Sequence, residues 1–165
     1  MQAARQHAYL GLGANLGDPA GQIRAVLEEM RRAPDMTLLR CSSLYGSAPL
    51  DAPGQPDFVN AVALIETALA PLPLLRSLLK LEARFGRVRS FQNAPRTLDL
   101  DLLLYGEARL DLPELRLPHP RMHLRRFVLE PLVEIEPLAI IPGQGSAAQL
   151  LSDLGGQKVT RLAAP

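Results

Sequence analysis

The order of hydrophobic periodicities in this chain predicts an α+β fold, a ferredoxin-like β-α-β-β-α-β sandwich with a mainly antiparallel sheet and C-terminal additions. Three observations carry that expectation. Stretches of period two and stretches of helical spacing follow one another in that order between His7 and Leu104. Each change of period is punctuated: Asp18-Pro19 precedes the first helix, Pro71 and Pro73 open the second, and Gly86 closes it. The chain of 165 residues, 47% of them hydrophobic, suffices for one domain over 1–165 that buries about 70% of the surface of its unfolded form.

Taken in order, His7 to Gly13 reads as the first strand and Ala14-Asn15-Leu16-Gly17 as a turn. The helix after Asp18-Pro19 carries Ile23, Val26, Leu27 and Met30 on one stripe. Gly11, Gly13 and Gly17 are spaced G-x-G-x-x-x-G, which departs from the dinucleotide-binding fingerprint, so they are assigned to a tight strand-to-helix turn. Met36 to Tyr45 is the second strand and Phe58 to Thr67 the third, joined by a long Pro/Gly-rich connection over 46–57 of the kind that serves as a lid or binding loop. Leu74, Leu78, Leu81 and Phe85 set the second helix, and a cationic loop over 86–95 leads into the fourth strand. Helices cover one face of the sheet in this arrangement. Beyond it, Gly106 turns the chain and Pro118-His119-Pro120 makes a stiff corner. Met122 to Ile135 reads as a helix interrupted or ended around Pro131, Leu138 to Ile141 as a short strand, and Ala147 to Leu154 as a short helix.

The fourth strand, Arg96-Thr97-Leu98-Asp99-Leu100-Asp101-Leu102-Leu103-Leu104, carries the chemistry. Alternation places Leu98, Leu100, Leu102 and Leu104 on one face and Asp99 with Asp101 on the other. Two carboxylates about 5 Å apart repel by about 3 kcal/mol at an effective dielectric near 20. Such a pair is either the solvated face of an edge strand or a ligand set for a hard divalent cation such as Mg²⁺, which takes one or two carboxylates and fills its shell with water and phosphate oxygens. The neighbours favour the cation. Arg84, Arg87, Arg89 and Arg96 precede the pair, and His119, Arg121, His123, Arg125 and Arg126 follow it, which supplies positive charge on both sides of a bound polyphosphate.

Composition excludes several classes. A net charge of +1 and 4% aromatic residues offer neither a broad nucleic-acid footprint nor a stacking platform. The single Cys41 excludes an intrachain disulfide framework and a cysteine zinc cluster. No apolar run approaches the roughly 20 residues of a membrane span and no signal pattern opens the chain, so the expected location is the cytoplasm. Asp-x-Asp also occurs in sugar-nucleotide transferases and phosphodiester hydrolases, but those sites need further carboxylate or His ligands. An RNA-binding or regulatory sandwich would need exposed aromatics and a basic face.

These residues resemble the 6-hydroxymethyl-7,8-dihydropterin pyrophosphokinase family from about Tyr9 to about Pro142. The strongest element is Pro95-Arg96-Thr97-Leu98-Asp99-Leu100-Asp101, supported by Gly11-Leu12-Gly13-Ala14-Asn15-Leu16-Gly17, Gln55-Pro56-Asp57-Phe58-Val59-Asn60, Gly86-Arg87-Val88-Arg89 and Leu117-Pro118-His119. The resemblance implies transfer of pyrophosphate from ATP to a pterin alcohol, with Asp99 and Asp101 holding two Mg²⁺ ions. It gives Arg87 and Arg96 catalytic roles as phosphate clamps, and brings Arg89 over the phosphates from its loop. Glu82, Leu102, His119 and Arg125 would join the nucleotide site, although a helix salt bridge serves equally well for Glu82. Ser47, Ala48 and Leu50 would supply backbone groups to the pterin edge, Asn60 would bond the ring, and Phe58 and Phe127 would stack on its faces. Taken alone, those two phenylalanines read as core. The only partners implied are ATP and the pterin, with the protein a monomer that binds no nucleic acid or membrane. The chain departs from the family at Gln92-Asn93-Ala94, where many members have Arg-Trp-Gly, leaving Phe91 as the candidate replacement for the tryptophan. It departs again at Pro120, often a tyrosine, and at Glu114, an arginine in some members, for which Arg116 could compensate. His123 and Arg126 have no family counterpart and read as surface residues.

Overall fold

The computed structural model describes residues 4–49, 54–86 and 98–165. Strand β1 (Gln6–Ala14) leads to α1 (Pro19–Arg32), where the Asp18 carboxylate accepts the Gly21 N–H at 3.1 Å and Pro19 occupies the first turn. The cap satisfies an amide that the helix cannot, and the expected stripe Ile23, Val26, Leu27 and Met30 is buried.

The expected second strand is two, β2 (Thr37–Cys41) and β3 (Leu44–Ser47). The break falls at Ser42. Its N–H donates to the Val62 carbonyl at 2.9 Å, while its Oγ accepts the Val62 N–H at 3.0 Å and donates to the Ser43 carbonyl at 2.8 Å. A side-chain oxygen stands in for a ladder carbonyl, so the chain bends without orphaning the Val62 amide.

β4 (Phe58–Thr67) lies antiparallel to β1, β2 and β3. α2 (Pro71–Arg84) buries Leu74, Leu78 and Leu81, and β5 (Asp99–Tyr105) returns antiparallel to β1. A small ladder of β6 (Leu110–Asp111) and β7 (Arg116–Leu117) precedes a 3₁₀ turn at Met122–Leu124. α3 (Arg126–Ile135) then leads to the pair β8 (Ile140–Ile141) and β9 (Gly145–Ser146), α4 (Ala147–Asp153) and β10 (Val159–Ala163). The main sheet runs β10-β3-β4-β1-β5, with β2 also on β4, and all its pairings are antiparallel.

Other features of the fold also depart from the sequence reading. Helices pack on both faces of the sheet rather than one. α1 and α2 cover Leu10, Leu12, Ala61, Ala63, Leu98, Leu100 and Leu102, whereas α3 and α4 cover Val62, Leu64, Leu103 and Leu104. Leu104 leaves the leucine face because the β1–β5 register shifts between Tyr9 and Leu10, and the extra residue of a bulge reverses the alternation beyond it. The expected helix from Met122 starts at Arg126, after extended backbone at Arg125 (φ −118°, ψ 110°), and continues through Pro131. Pro131 has no N–H for the Phe127 carbonyl, yet buried Val128, Leu129, Leu132 and Ile135 hold the helix to the sheet. β10, which no periodicity announces, adds a strand beyond β3. No helix among the described residues is long and apolar enough to cross a membrane.

Candidate active site

The uncovered end of the α3 face holds the chemistry, and the sheet register explains how. Asp99 pairs with Gly13 across β5 and β1, Gly13 with Asn60 across β1 and β4, and Asn60 with Tyr45 across β4 and β3. Directly paired residues share a sheet face, so one row runs from a carboxylate over a bare glycine to a buried amide. The adjoining row sets Asp101 beside Gly11 and Gly11 beside Val62. Both carboxylates are half-buried, while the flanking Leu98, Leu100 and Leu102 turn into the core under α1 and α2.

Above these rows opens a cleft. Asp99, Asp101 and Arg125 line one part, Phe58, Phe127, Asn60, Ser47 and Ala48 another, and Gly11 and Gly13 lie on β1 between the two sets. Asn60 is 6% exposed and donates through Nδ2 to Ser47 Oγ at 2.7 Å, which orients the amide. A Cβ on Gly13 would lie 3.2 Å from Asn60 Oδ1, so glycine leaves the room that this amide occupies. Gly11 and Gly13 therefore belong to the strand and the cleft, not to the turn, where only Gly17 takes a positive φ of 65°. Glycine inside a strand pattern signals close backbone approach, and that signal could have found them. Asn15, 1% exposed, donates from Nδ2 to Gln55 Oε1 and to the Pro56 carbonyl, both at 3.2 Å, tying the turn after β1 to the segment that delivers Phe58.

The Arg125 guanidinium carbon lies 5.5 Å from the Phe127 ring centroid, a cation–π contact between two residues that line the cleft. His119 lines a second cleft together with His123, Arg109 and Asp111, so His123 is half-buried there rather than a plain surface residue. The His119 N–H donates to the Leu103 carbonyl at 2.9 Å and its Nδ1 accepts the Arg121 N–H at 3.1 Å. Burial, then the charges of Arg125 and Arg121 against the opposing pull of Asp99, bring its pKa down to about 4. The imidazole is neutral near pH 7, with Nε2 carrying the proton.

Other expected site residues are dispersed. Glu82 is 1% exposed, which removes the solvent-facing salt bridge as its explanation. The Leu102 side chain is core, so only its backbone is available to a nucleotide. Arg84 is paired with Glu29 of α1 at 2.9 Å, Arg116 with Asp111 at 3.2 Å, and Arg126 with Glu130 at 3.0 Å. Leu50, Arg87, Arg89, Phe91 and Arg96 lie outside the described residues, as do Gln92-Asn93-Ala94. Among the described residues no three His, Cys, Asp or Glu side chains cluster as a metal cage. The donor set at the cleft is the carboxylate pair, which suits Mg²⁺ because that ion keeps water and phosphate oxygens in its shell.

Comparison with known proteins gives a consistent picture. Residues 9–137 match the family model described as 7,8-dihydro-6-hydroxymethylpterin-pyrophosphokinase (HPPK). The chain is 45% identical over 157 residues to the 2-amino-4-hydroxy-6-hydroxymethyldihydropteridine pyrophosphokinase of Pseudomonas aeruginosa, covering 95% of this chain and 97% of that one. It is 42% identical to the protein of the same name from Haemophilus influenzae, covering 94% and 97%. The fold is similar to that of Plasmodium falciparum HPPK-DHPS crystallised with pteroate, with a TM-score of 0.73 at 13% identity, over 92% of this chain and 43% of that longer one. A match that runs from β1 through α3, joined to relatives of this identity along nearly the whole length, leaves one assignment: the chain belongs to the 7,8-dihydro-6-hydroxymethylpterin-pyrophosphokinase family, the pyrophosphokinases of folate biosynthesis.

Proposed function

We propose that this pyrophosphokinase is a single-domain, monomeric, cytoplasmic enzyme that moves the β,γ-pyrophosphoryl group of ATP to the hydroxymethyl oxygen of 6-hydroxymethyl-7,8-dihydropterin. A bond forms between that oxygen and the β-phosphorus as the hydroxyl proton is lost to solvent, the bond from the β-phosphorus to the oxygen bridging the α-phosphate breaks, and AMP departs. The observation that carries this reading is one cleft with a carboxylate pair at one end, an aromatic and amide slot at the other, and backbone glycines between.

In this reading Phe58 and Phe127 flank the pterin ring, and Asn60, oriented by Ser47, reads its donor and acceptor edge. Backbone groups at Ser47, Ala48 and Leu50 complete that edge. Asp99 and Asp101 hold two Mg²⁺ ions, which supply neutralisation of the phosphate charge when bound. Arg125 adds a cation from α3's N-terminal approach, and neutral His119 offers an N–H donor rather than a charge. Glu82, the Leu102 backbone, Arg87, Arg89 and Arg96 complete the nucleotide side on family grounds. Catalysis by such a site is mainly positioning and electrostatics.

The test is to incubate the protein with ATP, Mg²⁺ and 6-hydroxymethyl-7,8-dihydropterin and identify the products. AMP with a pyrophosphorylated pterin is expected. ADP would mean transfer of a single phosphate and would refute the mechanism.

A further inference from the structure

Outside the cleft, a cluster of polar groups ties α3 to β3. The Glu134 carboxylate accepts the Tyr45 hydroxyl at 2.5 Å, the Ser43 N–H at 2.8 Å and the Ser43 hydroxyl at 3.2 Å. Arg161 of β10 donates to Ser43 Oγ at 3.0 Å and stands 3.9 Å from Glu134. Burial pushes the Glu134 pKa up, but the hydrogen bonds from Tyr45 and Ser43 and the charge of Arg161 outweigh it, so the carboxyl is held below its ordinary range.

This cluster joins two walls of the cleft. Glu134 follows Phe127 by seven residues, two helical turns, so both side chains lie on one side of α3. Tyr45 is paired with Asn60, and the next pair along the same strands on that face is Ser47 with Phe58. Glu134, Tyr45 and Ser43 themselves do not line the cleft.

We infer that Glu134 is a positioning residue for the pterin: through Tyr45 and Ser43 it fixes the height of Phe127 above the β3–β4 floor and so sets the width of the slot. This rests on the pterin reading proposed above. The apolar part of α3's attachment sets Val128, Leu129 and Leu132 against Val62 and Leu64, and such contacts are non-directional and permit sliding. Charge-assisted hydrogen bonds are directional. A flat ring gripped on both faces loses a quarter to a half of its dispersion attraction when a gap of about 0.5–1 Å opens, so slot width translates directly into affinity. A second polar pin provides a contrast. Arg40 of β2 donates to the Ile135 carbonyl at 2.6 Å and lies 3.6 Å from Glu136, holding the end of the same helix from β2.

The experiment compares Glu134→Gln with Arg40→Ala in the full chain. The glutamine keeps an acceptor for Tyr45 and sets an amide N–H₂ against the Ser43 N–H. Three quantities are read: affinity for 6-hydroxymethyl-7,8-dihydropterin, affinity for a non-hydrolysable ATP analogue with Mg²⁺, and the ¹³C–¹H resonances of the Phe127 ring without ligand. Glu134→Gln is expected to weaken the pterin by about tenfold, leave the analogue within about twofold, and move the Phe127 resonances. Arg40→Ala is expected to lower Tm while leaving pterin affinity and Phe127 in place. Unchanged pterin affinity in Glu134→Gln, or an equal loss in both variants, overturns the inference. Wild-type protein without pterin affinity would refute the functional reading instead, and the ligand-free Phe127 resonances would still decide the positioning role. Should Glu134→Gln fail to fold, Tyr45→Phe removes one hydrogen bond and is read against the same outcomes.

Discussion

The two faces of the central sheet are built from the same strands and do opposite work. Beneath α1 and α2, alternate residues of β1, β4 and β5 are Leu, Ala and Ile, closed over by two amphipathic helices. On the other face the same strands present Asp99, Asp101, Gly13 and Asn60, and α3 covers only part of it. Strand geometry forces the division: neighbours in sequence point opposite ways, so a strand can place a core residue and a ligand-binding residue one position apart without compromise. Stability and chemistry should therefore separate by parity along β5.

Substitutions can break or sharpen that separation. The largest expected effect is at Asp101→Asn, which should reduce Mg²⁺-dependent turnover by about 10³-fold while the chain still folds and melts cooperatively. Steady-state rates with a thermal melt decide it, and turnover near wild type would remove Asp101 from the site. One position away, Leu100→Ala should do the reverse, costing about 3 kcal/mol of stability and roughly 6–12 °C in Tm, with the folded fraction still active. A pH series reaches the cleft side through His119. The unfolded imidazole takes its proton near its ordinary 6.5, whereas folded His119 stays neutral to about 4. Stability should thus fall as pH drops through that window, by on the order of 3 kcal/mol. His119→Asn, which keeps an acceptor for the Arg121 N–H, should flatten the curve measured by denaturant midpoint. Gly13→Ala adds a methyl 3.2 Å from Asn60 Oδ1 and should weaken the pterin by about tenfold with nucleotide affinity retained. The smallest effect belongs to the α1–α2 surface: Arg84→Ala breaks the exposed pair with Glu29 and should cost under about 0.5 kcal/mol, with activity unaltered.

Where the sequence was legible, local pattern and tertiary environment agree. β1, β4, β5, α1 and α2 carry periodicities that their burial requires, and Asp99 and Asp101 stand out because charge interrupts a leucine run. Ser47, Ala48, Phe58, Asn60, Asp99, Asp101, Arg125 and Phe127 meet in one cleft although α2 and the β6–β7 ladder lie between them along the chain. Other features depend on partners far along the chain. β10 is mostly exposed and pairs with β3 because that edge is free, a reason invisible in Val159-Thr160-Arg161-Leu162-Ala163 itself. Glu134 looks like the wet side of an amphipathic helix until Tyr45 and Ser43 arrive from 89 and 91 residues away. Ser42 ends a strand that its neighbours would continue, because its hydroxyl competes with the backbone for the Val62 amide.

The glycine floor bears on how this enzyme could be inhibited and how it could escape. A compound bridging the two ends of the cleft must cross β1 over Gly11 and Gly13, where it meets main chain. Main-chain atoms do not change when codons do. Resistance at Gly13 can arise only by adding a side chain, and the first atom such a side chain approaches is Asn60 Oδ1. The substitution that evicts the drug would disturb the amide that recognises the pterin.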